Sequence, residues 1–487
     1  MKIKFPYTAF LKAIIILITW LPNLSLAIET NFPDLGVHQD TRLETKTENV
    51  IGDMVMQRIY GSDFLISDPV VNEYLNELAL KFGHHARLTN HKLHFFGVNS
   101  PELNAFAFFG GHVAVHSGLI LAVDNESQLA AVLAHETAHI MQRHLARMMD
   151  QNRKMMPLTF AELLAALAIG AFGSPEAGAH LATAAMAGHV QQMINFTREH
   201  EQEADRIGIQ LLSETNYDPT ALANVFQRMK QQTQYRQTPP EYLLTHPIFE
   251  SRIADAQNRA AMLPHQNAES SLFFHLVRAR LETSKEENSN RRLNRIKEIL
   301  ETGRYQNKIA AEYGYALALL QTRHAKDALP LLRKLVAENP NEWVIALSLA
   351  EAEQNVGSPA LALSQTTRLL QLYPNNYPIL LQEATLLLRD KQPDQVIKLL
   401  TPQRKEHWSD PIIHQMLAEA YSLRQQPVEL HRAQAEWRLA RGEFKEAYQQ
   451  LDLALEYAGE NSRVAKEIKL RKNAMMDMQE QQRSIKL

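Results

Sequence analysis

The chain has 487 residues and not one cysteine. That absence excludes a lipid-modified cysteine anchor, any disulfide, and a zinc site built on thiolates. An excess of charge of either sign is missing too, since 51 Lys and Arg face 54 Asp and Glu, for a formal net charge of −3. Composition therefore gives no basic footprint for nucleic acid and no acidic solvating tail. Long hydrophobic runs are also lacking. The apolar stretches at 13–21 and 158–172 both fall short of the roughly 20 residues that a spanning helix needs, so no stable membrane span is expected in the mature chain.

What remains is the composition of a globular protein, 45% hydrophobic and 22% charged, too long for a single ordinary core. Lys2, Lys4 and Lys12 precede and flank the first apolar run, and Ser25-Leu26-Ala27 follows it as a small-x-small cleavage site. Residues 1–27 thus read as a cleavable export leader. The segment 158–172, apolar except for Thr159 and Glu162, reads as a buried or groove-lining helix in preference to a membrane-touching lid.

Periodicity predicts helices over 50–59 and 70–82, with Asp68-Pro69 stopping the first. Residues 91–98 alternate like a strand, and 104–116 read as a strand pair about the Gly110-Gly111 turn. A further helix opens at Asp124-Asn125, and another is expected over 189–213. Beyond 262–271 the pattern is helical and repeats. Ala316, Ala350, Ala384 and Ala418 recur every 34 residues, as do Ala328, Ala362 and Val396, with Pro340 and Pro374 in phase. This is the tetratricopeptide period, in which small residues let paired helices approach closely. Arg441-Gly442-Glu443-Phe444 with Ala447 reads as a less regular further unit. The expected fold is mainly α: a zincin-like α+β peptidase domain with a small sheet over 28–265, then a helical tetratricopeptide solenoid over 272–487.

Chemistry is concentrated in His135-Glu136-Thr137-Ala138-His139. On a helix the two imidazoles, four apart, share a face and can grip one metal ion. Glu136, about 100° round the helix, can reach a water on that ion without ligating it. An extended three-histidine motif is excluded, because it requires Gly at 142 and His at 145, where this chain has Gln142 and Leu145. His144 is out of phase with that pattern and reads as a solvent-facing helix residue. The third ligand is then a carboxylate from another helix. Glu201 and Glu203 in Arg198-Glu-His-Glu-Gln-Glu-Ala-Asp-Arg206 both qualify by spacing, beside the bland reading of a solvated acidic face. Asp205, four residues after Glu201, is placed to orient a ligand imidazole.

The stretches NESQLAAVLAHETAHIMQRH and EHEQEADRIG resemble the zinc metallopeptidases related to the CAAX prenyl protease and the HtpX heat-shock protease. That resemblance implies a single Zn2+ on His135, His139 and Glu201, with Glu136 and Asp205 in the catalytic centre. His246-Pro247 and Arg252 also match the family pattern, which implies that His246 either gates the open metal position or stabilises the oxyanion. Arg252 is carried over as a supporting residue. Leader, peptidase unit and repeats together resemble periplasmic Gram-negative proteases that serve outer-membrane protein quality control. The implied clients are unfolded or stalled β-barrel proteins. The implied docking partners, through the repeats, are the β-barrel assembly machinery and the lipopolysaccharide-translocating barrel. Two other readings stand beside this one: a latent or non-catalytic periplasmic chaperone or scaffold, and a peptidase of small periplasmic peptides.

Overall fold

The computed structural model describes residues 44–151 and 198–485, apart from short breaks at 63, 87, 89–91, 236–239, 265, 285–287, 405–409 and 460–461. The expected leader and the 158–172 segment lie outside the described residues.

Helix α1 (Thr45–Tyr60) is longer than its periodicity suggested and stops at Gly61. Asp68-Pro69 does not end it; Pro69 instead opens α2 (Pro69–Ala86). The reason is positional: proline is well tolerated in a first helical turn, whose N–H groups lack intrahelical partners, and Asp68 Oδ1 accepts from Val70 N there at 3.0 Å. Strands β1 (His94–Val98), β2 (Ala105–Phe108) and β3 (His112–His116) follow. The expected hairpin is present, with Gly110 and Gly111 at φ 83° and 82° turning β2 into antiparallel β3. Period-2 patterning could not show that β1 pairs parallel to β3, giving the order β1-β3-β2.

The two sheet edges differ. On β1, Gly97 O accepts from Ile66 N and Gly97 N donates to the Asn72 side chain, so the 64–66 segment and α2 cover it. On β2, Asn104 O accepts from His116 N. With the pairing of Ala105 to Val115 and Ala107 to Val113, the ladder alternation turns the main-chain polar groups of Ala105 and Ala107 away from β3.

After α3 (Ser117–Ala122), the motif helix α4 (Glu126–Met141) starts where Asn125 Oδ1 accepts from Gln128 N. Every residue from Glu126 to His139 is buried, as expected of a helix apolar nearly all round. Around it pack α2, the sheet, α6 (Arg198–Glu214) and α7 (Ala221–Tyr235), with α9 (Glu250–Ala260) against α6 and α7, and α5 (His144–Gln151) and the short α8 (Glu241–Thr245) at the end that carries His135 and His139.

Helix α10 (Leu272–Ser284) belongs to two cores. Phe274, Val277 and Leu281 lie in the core of α4, while Leu276 joins the core of the following helices. Those helices are α11 (Ser289–Glu301), α12 (Lys308–Gln321), α13 (Ala325–Glu338), α14 (Trp343–Asn355), α15 (Pro359–Leu372), α16 (Tyr377–Arg389), α17 (Pro393–Leu400), α18 (Pro411–Leu423), α19 (Pro427–Ala440), α20 (Phe444–Ala458) and α21 (Arg463–Ser484). The alanines in 34-residue phase fall at buried positions of α12, α14, α16 and α18, and Ala328, Ala362 and Val396 at fully buried ones of α13, α15 and α17. Pro340 and Pro374 each follow the end of the second helix in a pair, as the period implied.

The far end of this array returns to the first helix. Arg441 Nη1 donates to Tyr60 O at 3.1 Å, Gln482 Nε2 donates to Gln57 Oε1 at 3.1 Å, and Ile485 packs against the cluster of α1, β1 and β2.

Candidate metal centre

His135, His139, Glu201 and His246 each present one donor atom, all four atoms lie within 4.8 Å of one another, and all four residues are buried. Helix α4 supplies the histidine pair, with Nε2 atoms 3.0 Å apart. Helix α6 supplies Glu201, whose oxygens lie 3.6 Å from His135 Nε2 and 3.4 Å from His139 Nε2. The close approach of α4 and α6 requires Gly208: a Cβ there would sit 3.2 Å from His135 N. Two imidazoles and a carboxylate sealed from solvent are a donor set that suits a zinc-like divalent cation.

The acidic helix is not a solvated face. Glu201 and Asp205 are 0% and 2% exposed, whereas Glu203 turns aside to His144. Asp205 Oδ1 lies 3.0 Å from His135 Nδ1, on the ring edge away from the cluster. Arg252, 1% exposed, donates to both Asp205 oxygens at 2.7 Å, reaches Glu201 Oε2 at 2.7 Å, and donates to Pro247 O at 2.7 Å. It thereby ties the loop carrying His246 to the helix carrying the carboxylates. His246 Nδ1 lies 2.9 Å from Glu201 Oε1 and 3.4 Å from His135 Nε2, and its ring stacks on Tyr242 at 4.6 Å.

Glu136 borders the cluster between His246 and β2. Its Oε2 accepts from Ala107 N on the outer edge of β2 at 3.0 Å, and its Oε1 lies 3.4 Å from His246 Nε2. A small cavity of about 30 Å³ lies beside this point, lined by Ala107, Phe108, Phe109, His139 and Ile140 among others.

Burial dominates the electrostatics and its partners decide the sign. Burial raises the Glu136 carboxyl above its ordinary value despite His246 and His135 nearby. Burial would also raise Glu201, yet His246, His135 and His139 together hold it well below the carboxylate range. Asp205 is likewise held down against burial, chiefly by Arg252. For His135, the hydrogen bonds of Asp205 and Glu201 outweigh burial and lift it to about 9, whereas burial drives His139 well down.

His144 departs from the sequence expectation: it is fully buried, not solvent-facing. Extending the motif helix past Met141 would swing residue 144 outward, but the helix ends at Gln142 and Arg143 adopts φ 50°. That left-handed residue is held by a salt bridge to buried Glu48 and folds His144 back beneath His139. Burial pushes His144 down to about 4. A basic residue in the left-handed conformation carries no sequence signature, so neither Arg143 nor the packing role of Gly208 could be read beforehand.

A motif helix paired with a carboxylate helix over a buried histidine–glutamate cluster defines a metallopeptidase. The model of Peptidase family M48 matches residues 68–260. The chain is 36% identical over 390 residues to the beta-barrel assembly-enhancing protease of Escherichia coli (strain K12), covering 80% of this chain and 79% of that protein. It is 37% identical over 392 residues to the enzyme of the same name from Yersinia pestis, covering 80% of each. The mitochondrial metalloendopeptidase OMA1 of Schizosaccharomyces pombe is 29% identical over 194 residues, or 40% of this chain and 54% of that protein. The chain belongs to the family of the beta-barrel assembly-enhancing proteases. Among the described residues, no helix is long and apolar enough to cross a membrane.

Proposed function

We propose that this protein is a periplasmic zinc endopeptidase of outer-membrane protein quality control. In this reading residues 1–27 are the export leader, 28–265 the peptidase unit and 272–487 the docking repeats. It promotes assembly of β-barrel proteins and degrades those that stall. The kinship with the enzymes of Escherichia coli and Yersinia pestis supports the substrate class. The observation that carries the chemistry is the convergence of His135, His139 and Glu201, with Glu136 between them and the edge of β2.

His135, His139 and Glu201 would hold the zinc ion, and Asp205 would keep the His135 ring aimed at it. When bound, zinc supplies Lewis acidity toward water and the scissile carbonyl. Glu136 accepts the proton of the attacking water and passes it to the leaving amine; its raised carboxyl is suited to both transfers. An extended client pairs with β2 by main-chain hydrogen bonds, which gives tolerance of sequence.

A second state is favoured by one observation: His246 stands within the donor cluster, 2.9 Å from Glu201. There it closes the position that a substrate carbonyl requires, so the resting enzyme is latent and acts meanwhile through its repeats as a chaperone. A single assay separates these readings. Purified full-length protein is incubated with casein and with an unfolded barrel client, with and without chelator. Glu136→Gln is expected to lose about 10²–10⁴-fold in turnover while keeping its metal, and His246→Ala to gain activity that chelator abolishes. Normal cleavage by Glu136→Gln would overturn the peptidase assignment, and unchanged latency in His246→Ala would overturn the gate.

A further inference from the structure

His144 has no part in the chemistry described so far, yet it is the most constrained imidazole next to the cluster. Its Nδ1 lies 2.8 Å from His139 Nδ1, and its Nε2 lies 2.8 Å from Glu203 Oε2. Arg147 bonds to the same Glu203 oxygen at 2.5 Å, and the His200 ring stacks on His144 at 4.5 Å. A carboxylate offers only acceptors, and a neutral imidazole offers one donor and one acceptor. Glu203 therefore takes the Nε2 proton of His144. That leaves His144 Nδ1 as the acceptor and makes His139 Nδ1 the donor. The His139 Nε2 lone pair is then bare on the side where His135 Nε2 and Glu201 Oε1 stand at 3.0 and 3.4 Å.

We propose that His144 and Glu203 are positioning residues for the metal ligand His139, a relay that fixes the tautomer and ring orientation a cation requires. This rests on His135, His139 and Glu201 being the ligands. The two ligand imidazoles are thus oriented by different devices. His135 meets a carboxylate directly, through Asp205, and His139 meets one at second hand. The left-handed Arg143 is what makes the second device possible, because it returns the chain beneath the ligand it has just passed.

The test titrates zinc(II) into metal-free full-length protein in competition with a chromophoric chelator, alongside thermal unfolding of the metal-free forms. Wild type is compared with His144→Leu and His144→Gln. Glutamine offers its carbonyl to His139 and its amide to Glu203, so it preserves the relay. The expected result is zinc affinity weakened 10–100-fold in His144→Leu and largely restored in His144→Gln. Nitrogen chemical shifts of the histidine rings in metal-free wild type, which do not depend on any variant folding, are expected to show His139 with its proton on Nδ1. Equal zinc affinity in wild type and His144→Leu, failure of His144→Gln to rescue, or a proton on His139 Nε2 would each overturn the relay while leaving the ligand set standing. Wild type that binds no zinc would instead overturn the ligand reading, and this inference with it.

Discussion

At the scale of single residues, legibility followed local periodicity and failed where the chain leaves it. His135, Glu136 and His139 could be placed because one regular helix fixes their relation. Glu201 and Glu203 could not be separated by spacing, since both are reachable from a helix of unknown rotation; in the structure Glu201 faces the histidines and Glu203 faces His144. A residue that no motif marks gives a pH prediction. Asp53 lies in the gap between α1, the sheet and α19, beside Tyr60, His94, His112 and Ala440, and burial raises it to about 6. Its folded value exceeds its unfolded one, so the native state holds this proton longer. The charged form therefore costs stability above pH 6, and the cost is relieved as pH falls from 6 toward 3.8. Asp53→Asn is expected to stabilise the protein at pH 7 by about 2 kcal/mol, with the advantage vanishing near pH 4. Urea midpoints across that range measure it, and a difference independent of pH would refute the cause.

Among elements, the repeat was readable from its buried small residues but not from its turns. The structure has left-handed residues at Arg323, Gly357, Lys391 and Gln425, again 34 apart, with φ of 63°, 91°, 55° and 56°. Only one of the four is glycine, so the turn signal that would have marked each helix end is absent from the sequence. Pro359, Pro393 and Pro427 keep the same phase at the first position of the next helix. Arg323, Lys391 and Gln425 are exposed, so their side chains offset little of the backbone cost. Lys391→Gly is expected to stabilise by about 0.5–1 kcal/mol, and Gly357→Ala to destabilise by about 1 kcal/mol. Equilibrium urea unfolding of both variants checks the pair. The parallel pairing of β1 with β3 escaped for another reason: alternation sets which face a strand buries, not which neighbour it takes.

In the whole molecule, the catalytic unit and the repeats are joined through shared parts more than through a linker. Arg280 on α10 is the polar centre of that junction. It donates to Asp68 at 2.6 Å and Tyr313 at 2.6 Å, and reaches Ser348 at 3.3 Å. Arg280→Met would strand the Asp68 carboxylate and is expected to cost about 3 kcal/mol. A fall in the urea midpoint measures this, and a variant as stable as wild type would show the network to be ornamental. Helix α10 also explains why a compositional boundary near 272 was visible while the sharing of that helix was not. A change of pattern marks where a repeat begins, but the two cores draw on different apolar faces of that one helix.

The outward turn of Ala107 carries a consequence for what such an enzyme can perceive. Its N–H is held by Glu136, so what the strand turns outward there is its carbonyl, which engages any polypeptide still owing hydrogen bonds, whatever that polypeptide spells. A cylinder of strands already sealed from first to last owes none. Discrimination at this edge would then be a matter of timing: a precursor is vulnerable for as long as its seam stays open, and completion itself is the escape.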